Sequence, residues 1–115
     1  MRDFDKVLKA CADKNRIRIL KALEKKRLCV CELAFILGIS QPSVSRHLKK
    51  LKGAGFIESR QDSFWTNYFI KPENRYAKAI SSCMKRWLNE DGIIRKDIAR
   101  LNRVNREKLC QAKQL

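Results

Sequence analysis

Residues 29–56 read CVCELAFILGISQPSVSRHLKKLKGAGF, and the spacing within this stretch decides the fold. Leu33, Ile36 and Leu37 repeat at helical intervals and stop at Gly38, a residue suited to the left-handed cap that ends a helix. Ile39-Ser40 leads at once into a second helix, with Ser40 as N-cap and Pro42 in the first turn, where its missing N–H is not needed. Two helices joined by a short glycine turn predict a helix-turn-helix over about 29–52.

The second helix, from Gln41 to Lys52, carries Val44, Leu48 and Leu51 on one stripe that must pack inward. At ~100° per residue, Arg46 and Lys49 lie nearly opposite, Ser43, Ser45 and Lys50 flank them, and Ser40 and Gln41 sit at the start, nearest a groove floor. Short hydroxyls and an amide can approach base edges, Arg46 can fork onto a guanine, and the lysines can hold phosphates. This face is therefore expected to read double-stranded DNA. An ordinary solvated polar face is the plainer alternative, and the glycine turn and the charge of the chain weigh against it.

Past Gly53-Ala54-Gly55 the pattern changes. Phe56 to Arg60 and Phe64 to Ile70 are rich in aromatic and β-branched residues on either side of a polar Gln61-Asp62-Ser63 turn, which predicts a hairpin over about 56–70. A hairpin directly after a reading helix is a wing, and Arg60 can touch phosphate or the minor groove. Because the tip is not basic, a hairpin that only covers the core is the rival reading.

Upstream, Phe4, Val7, Leu8 and Cys11 share one helical face, and Ile17, Leu20 and Leu23 define a second helix entered through Ala12-Asp13-Lys14-Asn15 and closed by Lys25-Lys26-Arg27. Downstream, Ala77, Ile80, Met84, Trp87 and Leu88 are helical from Pro72 on, with an interruption at Asn89-Glu90-Asp91-Gly92. Ile94, Ile98 and Leu101 form a further stripe that Val104 and Leu109 continue among arginines. This C-terminal part, about 73–112, has little of its own chain to pack on. A second copy is the expected acceptor, since a seam on a twofold axis also spaces two reading helices by one DNA turn, ~34 Å. The fold class expected is mainly α with a β-hairpin, a winged helix-turn-helix in a homodimer, with 1–115 as one domain.

Composition agrees. Lys and Arg number 27 against 12 Asp and Glu, a net charge of +15 on 115 residues, which makes nucleic acid the default partner. The cations are threaded between periodic apolar residues, so they decorate a folded body and not a tail or a membrane-surface helix. No apolar run approaches the ~20 residues that span a bilayer, and the start MRDFDKVLKAC lacks the apolar core of a secretion signal, so a cytoplasmic location is expected. In that reducing compartment the five cysteines read as thiols, buried or ligating.

Cys29 and Cys31 stand at a helix N-terminus behind three cations, which favours thiolates, and thiolates select soft, thiophilic ions. In a regular helix residues i and i+2 point ~200° apart, whereas in an extended segment they point the same way. Ligation by both sulfurs should therefore unwind the helix entry and strain the adjacent reading helix. Two small cysteines capping a helix are the plainer alternative. Cys-His catalysis with His47, the single histidine, lacks an evident substrate pocket, and no enzyme activity is expected.

Cys29-Val30-Cys31-Glu32-Leu33, followed by Ser40-Gln41-Pro42-Ser43-Val44-Ser45-Arg46-His47-Leu48, resembles the signature of the ArsR/SmtB metalloregulatory repressors, closest to the arsenic- and cadmium-responsive branches. Similarity runs from Lys9-Ala10-Cys11-Ala12-Asp13 through Arg16-Ile17-Arg18-Ile19-Leu20 to Asp62, Trp65 and Tyr68 of the hairpin. The resemblance implies a homodimer packed through its first and last helices that represses a metal- or metalloid-resistance operon when empty and leaves DNA when loaded. It implies no constitutive cofactor and As(III) or Sb(III), as arsenite or antimonite, as inducer.

Departures shape the site. The third cysteine of the arsenic-responsive pattern is replaced by Ala34, so Cys110 is the candidate third sulfur beside Cys29 and Cys31, while Cys11 and Cys83 fall on core-like stripes. Cadmium and lead rank second, because the N-terminal cysteine-bearing extension of those relatives is not expected here. The histidine set of zinc sensors has no counterpart, and the wing tip carries Ser63 and Phe64 where relatives have Gly and Arg. A thiol-oxidation sensor of the same fold and an RNA-binding winged helix remain as alternatives.

Overall fold

The computed structural model describes residues 1–105 and 109. Eight elements follow in order: α1 (Arg2–Cys11), α2 (Lys14–Leu23), α3 (Val30–Leu37), α4 (Gln41–Gly53), β1 (Ile57–Asp62), β2 (Trp65–Ile70), α5 (Arg75–Met84) and α6 (Gly92–Leu101). Side-chain caps fix the helix starts. The Asp13 carboxylate accepts the N–H groups of Asn15 and Arg16 at 2.9 and 3.1 Å, Ser40 Oγ accepts that of Ser43 at 3.2 Å, Asn74 that of Ala77 at 2.9 Å, and Asp91 those of Ile93 and Ile94 at 2.9 and 3.2 Å. Gly38, at φ 69°, ends α3 in the left-handed conformation that the turn between α3 and α4 requires. The basic run at 25–27 lies beyond α2 in a turn and not in its last turn, because the helix stops at Leu23.

Val7, Ile19, Leu20, Leu33, Ile36, Val44, Leu48, Leu51, Phe56 and Ile57 are buried together, so the inward stripes of α3 and α4 meet those of α1 and α2 and the start of the hairpin. β1 and β2 pair antiparallel from Ile57 opposite Ile70 to Asp62 opposite Trp65. The turn is therefore Ser63-Phe64, tighter than the sequence reading, with Ser63 at φ 58°. Gln61 stays in the strand because it is bonded on both sides, its amide donating to the Ser63 carbonyl at 3.0 Å and accepting from Thr66 Oγ1 at 2.7 Å. Outside the hairpin, Leu28 and Tyr68 exchange backbone hydrogen bonds at 2.8 and 3.2 Å, tying the entry of α3 to the wing.

The C-terminal part corrects the sequence reading twice. α5 ends at Met84, so Trp87 and Leu88 lie in irregular chain, Leu88 at φ 65°. The Met84 carbonyl accepts from the Lys21 ammonium at 2.8 Å, and that ammonium, 1% exposed as a residue, also reaches Asn89 Oδ1 at 2.9 Å and Glu24 at 2.8 Å. More importantly, α6 packs on α2 and α3 of its own chain, with Ile94 and Leu101 buried and Ile98 half-buried. Asp97, only 2% exposed, takes the Arg18 guanidinium through two contacts of 2.8 Å. The expected lack of an intramolecular surface for this stripe is thus wrong for α6. Among the described residues no helix is long and apolar enough to cross a membrane.

Candidate nucleic-acid interface and thiol site

α4 presents the face its sequence implies. Ser45, Arg46, Lys49 and Lys50 are exposed, Ser43 and Gln41 half-buried, and Ser40 is the exposed N-cap. Arg60 is exposed on β1. Lys52, at the end of the helix, ion-pairs with Glu58 at 3.1 Å and donates to Ser59 Oγ at 3.0 Å, which joins α4 to the wing. The Lys52 ammonium, with the Ser59 N–H, holds the Glu58 carboxyl below the usual range.

His47 lies at the edge of this face and serves structure. Its Nδ1 is 3.3 Å from an Arg16 nitrogen, and since a guanidinium only donates, Nδ1 accepts. Arg16 also donates to the carbonyls of Ala10 at 2.8 Å and Lys9 at 3.1 Å, so one side chain closes α1, flanks the start of α2 and steadies α4. At the Asp13 cap, burial pushes the carboxyl up, but the Arg16 N–H, the Arg16 charge, His47 and the Asn15 N–H outweigh it and the net pKa is lowered.

The thiol pair is asymmetric. Cys29 is the N-cap of α3, extended at φ −95° and ψ 173° and 4% exposed. Its N–H donates to Glu32 Oε1 at 2.9 Å, closing a capping box whose sequence signal is the glutamate three residues after the cap. Cys31 lies in the first turn of α3, half-buried, and its Sγ accepts from Gln41 Nε2 at 3.6 Å. The first residue of the reading helix therefore touches the second cysteine. Gln41, read from sequence as a base-reading side chain only, sits between the two sites.

The other thiols stand apart in role. Cys11 is half-buried against the core, and burial raises its pKa despite the nearby Arg16 charge. Cys83 is half-buried, 4.0 Å from an Arg86 nitrogen. Cys110 lies outside the described residues. Among the described residues no group of three His, Cys, Asp or Glu side chains is arranged to hold a metal ion. Cys29 and Cys31, at the entry of α3, are the two candidate donors of this segment.

Two further cations were not legible from local pattern. Arg18 donates to the Leu37 carbonyl at 3.0 Å and Arg100 to the Ile36 carbonyl at 3.3 Å, so the last turn of α3 is capped by arginines from α2 and α6.

Comparison with known proteins fits this geometry. Residues 13–59 match the model of the bacterial regulatory protein, arsR family. The arsenic resistance transcriptional regulator ArsR1 of Pseudomonas putida is 34% identical over 93 residues, covering 76% of this chain and 73% of that protein. The cadmium resistance transcriptional regulatory protein CadC of Listeria innocua is 41% identical over 64 residues, 55% of this chain and 54% of that one. HlyU from Vibrio cholerae superposes with a TM-score of 0.65 at 29% identity, over 76% of this chain and 92% of its own. The homodimeric winged helix-turn-helix domain of Mb0332 from Mycobacterium bovis, at TM-score 0.65 and 24% identity over 77% of this chain and 81% of its own, shows the same fold. The chain belongs to the ArsR family of transcriptional regulators. It is a winged helix-turn-helix DNA-binding protein and not an enzyme.

Proposed function

We propose that this protein is the repressor of a metalloid-resistance operon, bound to operator DNA as a homodimer and released when As(III) or Sb(III) is taken by Cys29 and Cys31. The observation that carries the reading is the position of the pair at the N-terminus of α3, directly before the reading helix and one residue from the backbone bridge to the wing. Cys29 is already extended, so bringing both sulfurs to one ion requires rebuilding only the first turn of α3 around Val30 and Cys31. Ser40, Gln41, Ser43, Ser45, Arg46, Lys49, Lys50 and Arg60 form the DNA-binding set. Phe4 and Leu8 of α1, 39% and 46% exposed, are the apolar surface offered to a second copy, beside α5 with which α1 packs through a 5.2 Å Phe4–Tyr76 edge contact. Names of relatives favour arsenic, with cadmium second.

Thiol protection tests this directly. With arsenite present, alkylation followed by peptide mass mapping should show Cys29 and Cys31 shielded, and Cys110 with them if it is the third sulfur. Equal modification of Cys29 and Cys31 with and without arsenite and antimonite would refute the reading.

A further inference from the structure

We infer that Gln41 is the positioning residue through which the thiol site acts on base reading: the Cys31 sulfur orients its amide for the DNA, and occupation of that sulfur removes the orientation. The part concerning the inducer rests on the function proposed above; the part concerning the hydrogen bond does not.

A glutamine amide has an NH₂ end and a carbonyl end that are alike in shape, so its orientation in a groove is undefined until something fixes it. Reading adenine needs a defined orientation, with an N–H donor beside a carbonyl acceptor. Here Nε2 donates to Cys31 Sγ at 3.6 Å, which fixes the nitrogen end toward α3 and sets the plane of the amide. Gln41 is the first residue of α4, its backbone held by the Ser40 cap behind it and its side chain half-buried against α3. Backbone and amide together thus give it one geometry before DNA arrives, which spares ordering entropy on binding.

The same sulfur is a donor atom of the proposed inducer site. A thiophilic ion takes a sulfur lone pair and places positive charge where the amide N–H pointed, so the hydrogen bond and the ion compete. Rebuilding the first turn of α3 also carries Sγ away from α4. Either change removes this hydrogen bond from the Gln41 amide while leaving the fold of α4, whose core stripe is Val44, Leu48 and Leu51, in place. By linkage, operator DNA must weaken inducer binding by the same factor.

A double-mutant cycle on operator affinity, with reduced protein and no metal, tests the link. Cys31→Ala removes the acceptor and should weaken binding about threefold to tenfold, the range for one hydrogen bond. Cys31→Ser, whose hydroxyl accepts, should recover most of that loss. In a Gln41→Ala background Cys31→Ala should have no further effect. Multiplicative losses in the double variant, or a serine variant as weak as the alanine one, would overturn the link, with circular dichroism melts confirming that each variant is folded. Adding arsenite to Gln41→Ala should then show thiols still shielded but a smaller drop in DNA affinity than in the unaltered protein; an undiminished drop contradicts the proposal. If arsenite shields no thiol in the unaltered protein, the metalloid reading fails, and the metal-free cycle still decides the role of Gln41.

Discussion

Arg46 stands exposed on α4 opposite a buried Leu48, which makes it the side chain best placed to fork onto a base edge. Arg46→Ala should weaken specific binding by ~1 to 3 kcal/mol and relax preference at one operator position; equal losses on operator and random DNA would reassign it to phosphate. Asp13 acts on the fold instead. Its carboxyl is held below its ordinary value of 3.8, so the stabilisation is full above the ordinary range and fades as pH falls through the lowered folded value. Asp13→Ala should cost ~1 kcal/mol at neutral pH, as caps do, and the difference from the unaltered protein in urea unfolding should shrink in strong acid. A difference unchanged by acid would mean that the charge of the cap does not matter. The exposed face that carries Arg46 was legible in sequence, because a helix face is a local pattern, whereas Asp13 was placed only in the entry to the second helix and not singled out as its cap. Arg16 was not legible, since its partners, Lys9 and Ala10 on α1 and His47 on α4, come from two elements that only the fold brings together with α2.

Among elements, α6 departs furthest from what the sequence implied. Its amphipathic stripe was legible, but its acceptor was not: Asp97 meets Arg18 across 79 residues, and no periodicity encodes that pairing. The result changes the reading of the C-terminal part. α6 holds Arg18 and Arg100 against the last carbonyls of α3, so it braces the turn between α3 and α4 from behind. The ion pair is nearly dehydrated, with side-chain exposures of 14% for Arg18 and 3% for Asp97. Removing one partner of such a pair strands the other, and Asp97→Ala should lower unfolding stability by about 3 kcal/mol in denaturant titration. A loss near zero would show that α6 is not part of the cooperative unit. The hairpin was legible as well, but its turn was misread, because polar Gln61 and Asp62 pair across the strands where composition alone suggested a loop.

For the whole molecule, a charge of +15 supplies affinity for any nucleic acid, so binding alone cannot separate a specific repressor from a generic polycation. Release can. The chain joins a reading helix, a wing and a pair of cysteines within one short segment, through the Gly38 turn, the Leu28–Tyr68 bridge and the Gln41–Cys31 contact. The property proposed for the pair is that a soft ion bound there lowers affinity for DNA. It is tested most directly by fluorescence anisotropy of the reduced protein on its own promoter DNA during titration with arsenite, antimonite, cadmium and zinc, with Cys29→Ser in parallel. Release by the trivalent metalloids, a weaker or absent response to zinc, and no release from the Cys29→Ser variant are the expected results. DNA binding indifferent to every ion, or release that persists without Cys29, would contradict the proposal.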